Sequence, residues 1–179
     1  MASWAAFEGA APELAVEGKR LIYQYGVGLG FLATVRKDGA PRLHPICPIV
    51  AEGGLFAFIN PSPKCHDLRR DGRFALHAHL PDDVDDEFVI NGRATELFDT
   101  HLRERVIAAY HTSVPSEHAL FTFDVERCLH AKYRQRGDWP PTYTTWTDPS
   151  TTWSRNSPVS EPRSHLSWLG NTATGFTLR

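Results

Sequence analysis

Apolar and polar residues follow two different periods along this chain. Over residues 4–25 the period is helical. Trp4 and Phe7 share a face in a first short segment, and Pro12, tolerated at a first helical position, leads into ELAVEGKRLIYQY. There Leu14, Leu21 and Tyr25 recur at helical spacing and Gly26 is a natural stop. From Gly28 the period shortens to two. LGFLATV (29–35) and PRLHPICPIV (41–50) read as strands joined by Arg36-Lys37-Asp38-Gly39, with Asp-Gly as the hairpin signal. Glu52-Gly53-Gly54 turns the chain into LFAFIN (55–60), completing a predicted three-stranded antiparallel meander. Pro41, Pro45 and Pro48 make its middle strand an edge or bulged one, because proline cannot donate to a ladder.

The remainder continues in the same mixed style. Ser62 is a good N-cap and Pro63 a good first residue for a short helix that ends at Asp71-Gly72. Residues 73–79 and 87–97 read as further strands around the acidic loop PDDVDD, with Gly92 at a bend or bulge. Asp99 caps a helix reaching about His111, with Leu102, Val106 and Ala109 facing inward. LFTFDVERCLHAKYR (120–134) is a last strand pair or one long bent strand. After Trp146 the chain becomes rich in Ser, Thr and Pro. The pattern predicts a mainly β domain over 1–146, a small antiparallel β-barrel of about six strands with flanking helices. Residues 147–179 read as a tail, disordered or loosely docked, with Trp153, Trp168 and Phe176 as means of partial docking.

Composition narrows the function classes. A net charge of −2 argues against a general nucleic-acid or anionic-membrane binder. No apolar run approaches the roughly 20 residues needed to cross a bilayer. The opening MASWAAFEGAAPELA has no basic start and carries Glu8 and Glu13, so it does not read as a signal peptide. Cys47, Cys65 and Cys128 are few and scattered, which fits a reducing cytoplasm better than a disulfide framework.

The sharpest chemical feature is Ser62-Pro63-Lys64. Free amides and a partial positive charge at a helix N-terminus disfavour a lysine in the first turn by about 0.3–1 kcal/mol. An anion resting there reverses the sign, so amides, hydroxyl and ammonium would form a phosphate cradle. Arg42 could add a planar contact from the neighbouring strand. A lysine that simply extends into water gives the same spacing. Strand alternation puts Arg42, His44 and Ile46 on one face and Leu43, Pro45 and Cys47 on the other, which suits a pocket wall or an exposed edge. His77-x-His79 has a spacing that metal sites use, but no Cys-x-x-Cys or His-Glu-x-x-His accompanies it, and no metal is expected. Cys47 and Cys65 are candidate thiols without an evident base. The Gly-x-Gly at Gly28–Gly30 precedes a strand and does not open a helix, unlike a dinucleotide fingerprint.

In order and spacing, LATVRKDGAPRLHPICPI, LFAFINPSPKCHDLRRDGRFALHAH and DDEFVINGRATEL resemble the pyridoxamine 5′-phosphate oxidase-like family of flavin-binding split barrels, over roughly residues 3–146. The resemblance implies a six-stranded antiparallel split barrel, a homodimer, and flavin mononucleotide (FMN) at the subunit interface. It implies that Ser62 and Lys64 hold the FMN phosphate beside Arg42. Leu43, His44, Pro45 and Ile46 would line the isoalloxazine, with Ala57 and Phe58 as the adjacent wall. Glu87 stands where the oxidase branch has a glutamine reaching the ring, and Trp146 matches an aromatic near the family's C-terminus. Two departures stand out. Pro63 replaces a frequent arginine, and Trp146-Thr147-Asp148-Pro149 lacks the substrate-binding Arg and His of the vitamin B6 enzyme, so the chain resembles another branch.

The expected function is that of an FMN-dependent oxidoreductase moving a hydride between flavin N5 and a small organic substrate. A flavin-binding storage or sensor module without turnover fits the same residues. So does the same barrel holding the deazaflavin F420, with Arg36, Lys37 and Arg69 for its anionic tail, or haem, with His77, His79 or His44 as axial ligand.

Overall fold

The computed structural model describes residues 1–110 and 113–151. Two helices open the chain, α1 (Trp4–Ala10) and α2 (Pro12–Ile22). The Ser3 hydroxyl accepts the Ala6 amide at the start of α1, and Pro12 opens α2 as its sequence requires. Trp4 and Phe7 are fully buried and meet edge to face at 5.3 Å. Leu14 and Leu21 form the inner stripe of α2. Tyr25 lies beyond the helix end and is exposed, so that stripe is shorter than the sequence spacing suggests.

The strands are β1 (Gly30–Val35), β2 (Pro41–Ile46), β3 (Ile49–Ala51), β4 (Gly54–Ile59), β5 (Arg73–Ala78), β6 (Glu87–Leu97), β7 (Ala119–Lys132) and β8 (Thr142–Thr147). Helix α3 (Pro63–Arg70) follows β4 and α4 (Thr100–Tyr110) follows β6. The sheet is antiparallel throughout and runs β2-β1-β5-β6-β7-β4-β3, with β8 paired to β7. It is mainly β and split-barrel-like, but the described residues form eight strands where six are expected.

Both extra strands have a local cause. The 41–50 run breaks at Cys47-Pro48 into β2 and β3, which take different partners: β2 pairs with β1, and β3 with β4. The expected three-stranded meander is therefore replaced by two hairpins at opposite ends of the sheet. The second addition, β8, reads TYTTWT and is exposed at five of its six positions, so it carries no apolar alternation. The 120–134 stretch is a single strand of 14 residues.

The break shapes the whole sheet. β2 and β3 are its two outer strands, yet Ile46 and Ile49 are only three residues apart. Three residues reach at most about 11 Å. The sheet must curl until its edges approach, with Cys47-Pro48 crossing an unpaired seam. Behind the seam, the Val50 amide donates to the Tyr23 hydroxyl at 2.7 Å. Gly92 marks a bulge as expected: the β6–β7 register shifts between Asn91 and Gly92, and a β-carbon at Gly92 would lie 1.8 Å from the Asp124 carbonyl oxygen.

The curl encloses Leu32, Leu76, Ile90, Phe121, Phe123 and Cys128, with Phe74 against Phe123 at 5.0 Å. A smaller cluster of Ile49, Phe56, Val106 and Leu120 lies under α4. Ala109 is exposed, so only Leu102 and Val106 of the expected inner face of α4 contribute. Asp99 accepts the Leu102 amide at 3.0 Å and caps this helix. Trp146 of β8 packs on Phe7 at 5.1 Å, and buried Asp148 pairs with the N-terminal ammonium at 2.9 Å. The rest of the expected tail, with Trp153, Trp168 and Phe176, lies outside the described residues. Among the described residues no helix is long and apolar enough to cross a membrane.

Candidate functional site

A cleft of about 390 Å³ opens where the seam meets the start of α3. Pro45, Ile46 and Cys47 come to it from the end of β2, Phe58 from β4, Lys64 from α3 and Tyr110 from α4. Its size falls within the roughly 300–1,000 Å³ of small-molecule sites. A larger groove of about 540 Å³ lies between α2 and β7–β8. Its charges already answer one another, since Glu17 pairs with Arg20 at 2.6 Å and with Lys132 at 3.6 Å. The seam cleft differs in having a cation and, among the described residues, no carboxylate on its wall.

That cation is Lys64. Its ammonium donates to the Pro45 carbonyl at a long 3.5 Å and forms no ion pair among the described residues. Burial lowers its pKa, and the nearby Cys47 sulfur opposes that shift. A half-buried, unpaired ammonium is costly unless an anion joins it. Ser62 caps the helix by position only. Its side chain makes no capping bond, and its buried Oγ has no hydrogen-bond partner. With Pro63 lacking an N–H, the amides of Lys64 and Cys65 are the free donors of the first turn. Ser62 and Lys64 thus stand at the same helix start, but of the two only Lys64 lines the cleft.

Arg42 is placed differently. Its guanidinium donates to Asp67 Oδ2 at 2.6 Å, and Asp67 also accepts from Arg70 at 3.1 Å and from Thr34 at 3.2 Å. Burial pushes the Asp67 carboxyl up, but hydrogen bonds from Arg42, Arg70 and Thr34 outweigh it and hold the group below its ordinary value. Arg42 therefore lines a separate shallow groove with Arg36 and Lys37, not the cleft of Lys64.

Of the other expected residues, Pro45, Ile46 and Phe58 line the cleft. Leu43 points outward from the sheet and is 65% exposed. His44 faces inward, and its buried Nε2 has no partner. Ala57 is fully buried in the core, so only its backbone could serve as a wall. Glu87 begins β6 opposite Ala131, and it is not on the cleft wall. His77 and His79 turn their Nδ1 atoms to the backbone carbonyls of Ala78 and Leu80.

Sequence reading missed the far wall. Tyr110 closes α4 against Phe58, with ring centroids 5.9 Å apart. Arg103 sits over the same ring at 5.0 Å and donates to the carbonyls of His118 and Pro115, holding that loop beside the cleft. The only local signal was the Tyr at the end of an amphipathic pattern. Its role depends on where α4 docks, and spacing cannot show that.

No protein-family model and no curated protein matches the sequence. Solved structures do match in three dimensions. A haem-binding protein of Mycobacterium smegmatis superposes with a TM-score of 0.56 at 15% identity, covering 72% of this chain and 56% of that one. The chain thus spans little more than half the length of the mycobacterial protein. A Clostridium acetobutylicum protein related to general stress protein 26 of Bacillus subtilis, of the pyridoxinephosphate oxidase family, superposes at 0.57 with 13% identity, covering 74% and 92%. A Listeria innocua protein assigned as a pyridoxamine 5′-phosphate oxidase superposes at 0.51 with 17% identity, covering 63% and 94%. At these identities the likeness is one of architecture: the chain has the fold of the pyridoxamine 5′-phosphate oxidase-like proteins.

Proposed function

We propose that the seam cleft binds the phosphate end of FMN and that the protein is a flavin-dependent oxidoreductase. One observation carries this reading: the unpaired Lys64 ammonium lines the cleft from the first turn of α3, and Ser62, at the N-cap of the same helix, keeps a buried hydroxyl without a hydrogen-bond partner. Both groups lack what a phosphate supplies, namely negative charge and acceptor oxygens. Pro45, Ile46 and Phe58 would flank the ring system, and the Pro45 carbonyl and neighbouring backbone would orient it. Bound there, FMN would supply hydride transfer at N5 to or from a small organic molecule. Exposed Phe31 and Leu43, on the outer face of adjacent strands β1 and β2, support a second copy covering this side of the sheet.

A second reading is haem. It is favoured by the fold shared with the mycobacterial haem-binding protein and by His118 on the cleft wall. An absorption spectrum of the purified protein, alone and after adding each cofactor, separates the two. Flavin bands with quenched fluorescence on titration support FMN. A Soret band supports haem, and a protein that takes up neither refutes both.

A further inference from the structure

Cys47 is the one cysteine of three that faces a cavity. Cys65 and Cys128 are 1% and 0% exposed, and burial pushes both thiols up. Cys47 is half-buried, free, and set on the seam wall with Lys64 and Tyr110. Burial, with Cys47 nearby, raises the Tyr110 phenol to about 12, so it stays protonated at neutral pH. The Lys64 ammonium lies on the same cleft wall and lacks a carboxylate partner among the described residues. A nucleophilic atom, a phenol and a cation therefore share one pocket that has no carboxylate on its wall among the described residues.

We propose that Cys47 is a covalent modification site selective for anionic thiol-reactive molecules, such as an acidic low-molecular-weight disulfide, with Lys64 drawing the anion to the sulfur. In the exchange, the Cys47 sulfur attacks one sulfur of the disulfide. A new S–S bond forms to Cys47 and the original S–S bond breaks. The leaving thiolate takes up the proton that the Cys47 thiol gives up. The step is isoelectronic overall and needs no further oxidant or reductant. This role goes beyond cofactor binding and stands whether or not a flavin occupies the cleft at other times.

Two alkylating agents with the same leaving group and different charge test it. The full-length protein, without added cofactor, is treated with iodoacetate or with iodoacetamide, and each cysteine is followed by peptide mass spectrometry. Cys47 is expected to label first, with Cys65 and Cys128 protected until unfolding. Its iodoacetate-to-iodoacetamide rate ratio should exceed that of an unstructured cysteine peptide by about three- to ten-fold, as expected for an attraction partly screened by solvent. Lys64→Gln should abolish the excess and Lys64→Arg should keep it. Molar salt should remove it from the unaltered protein, a measurement that does not depend on any variant folding. Oxidised glutathione should give one adduct, at Cys47. Equal ratios in the protein and the peptide, a ratio unmoved by salt, or faster labelling at Cys65 or Cys128 would overturn the proposal.

Discussion

The α-carbon of Gly28 faces the carbonyl oxygen of Pro48 so closely that a β-carbon on residue 28 would lie 1.9 Å from it. Two segments that the sequence separates by 20 residues are thus pressed together at the seam. The Pro48 carbonyl belongs to backbone that has just left β2, and Gly28 belongs to the approach to β1. Their contact lies next to Cys47, which lines the cleft with Lys64.

Gly28→Ala should force these two backbones apart. The expected cost is about 1–3 kcal/mol, the range for overpacking a close contact. A lowered thermal or denaturant midpoint with an unchanged denaturant slope would show it. A midpoint equal to that of the unaltered protein would mean the seam relaxes freely.

Lys64→Ala should weaken FMN binding by about 1.5–3 kcal/mol, roughly 10- to 150-fold, through loss of one charge-assisted phosphate contact. Among the described residues its side chain makes one hydrogen bond, the long one to Pro45, so unfolding midpoints should barely move. Flavin fluorescence titration measures the first and thermal melting the second. Unchanged affinity would remove Lys64 from the cradle.

Asp67→Asn should destabilise the fold. The Asp67 side chain is 5% exposed and holds two arginines, Arg42 and Arg70, whose side chains are 27% and 38% exposed. Breaking fully buried pairs costs about 3–5 kcal/mol, and solvent access to both guanidiniums reduces the expected loss to about 2 kcal/mol. The pH dependence has a definite sign. The folded-state pKa of Asp67 is depressed, so its contribution is complete above the unfolded carboxylate value of about 3.9 and fades as pH falls through the folded value. Denaturant titrations of both proteins should converge as pH drops below about 4. A gap that persists at pH 2 would show that the asparagine disrupts packing and not charge.

Ending the chain at residue 151 should leave cooperative unfolding intact, whereas ending it before Thr142 should lower stability by uncovering Phe7, on which Trp146 packs. Circular dichroism melts of the two truncations test this. Loss of a cooperative transition in the longer one would show that 152–179 belong to the folded body.

Much of this protein follows from local chemistry along the chain. Pro12 and Pro63 start helices because their missing N–H costs nothing there, and Gly92 marks the bulge because another backbone passes too close for any side chain. Period-two alternation set the inward faces of β1, β5 and β6, and Ser62-Pro63 marked the start of α3. Other features were invisible until distant segments met. Pro48 signalled a weakened strand, but whether the chain bulged or parted depended on which partners its halves found, and they found β1 and β4. Arg42 was spoken for by Asp67, four residues into a helix whose docking angle no spacing reveals. Tyr110 reached Cys47 only because α4 folds over the second hairpin. Short-range order is dictated by backbone sterics and side-chain period, which act within a few residues. A cleft between sheet edges is built from long-range packing, where the same residue types admit many pairings and only the assembled core selects one.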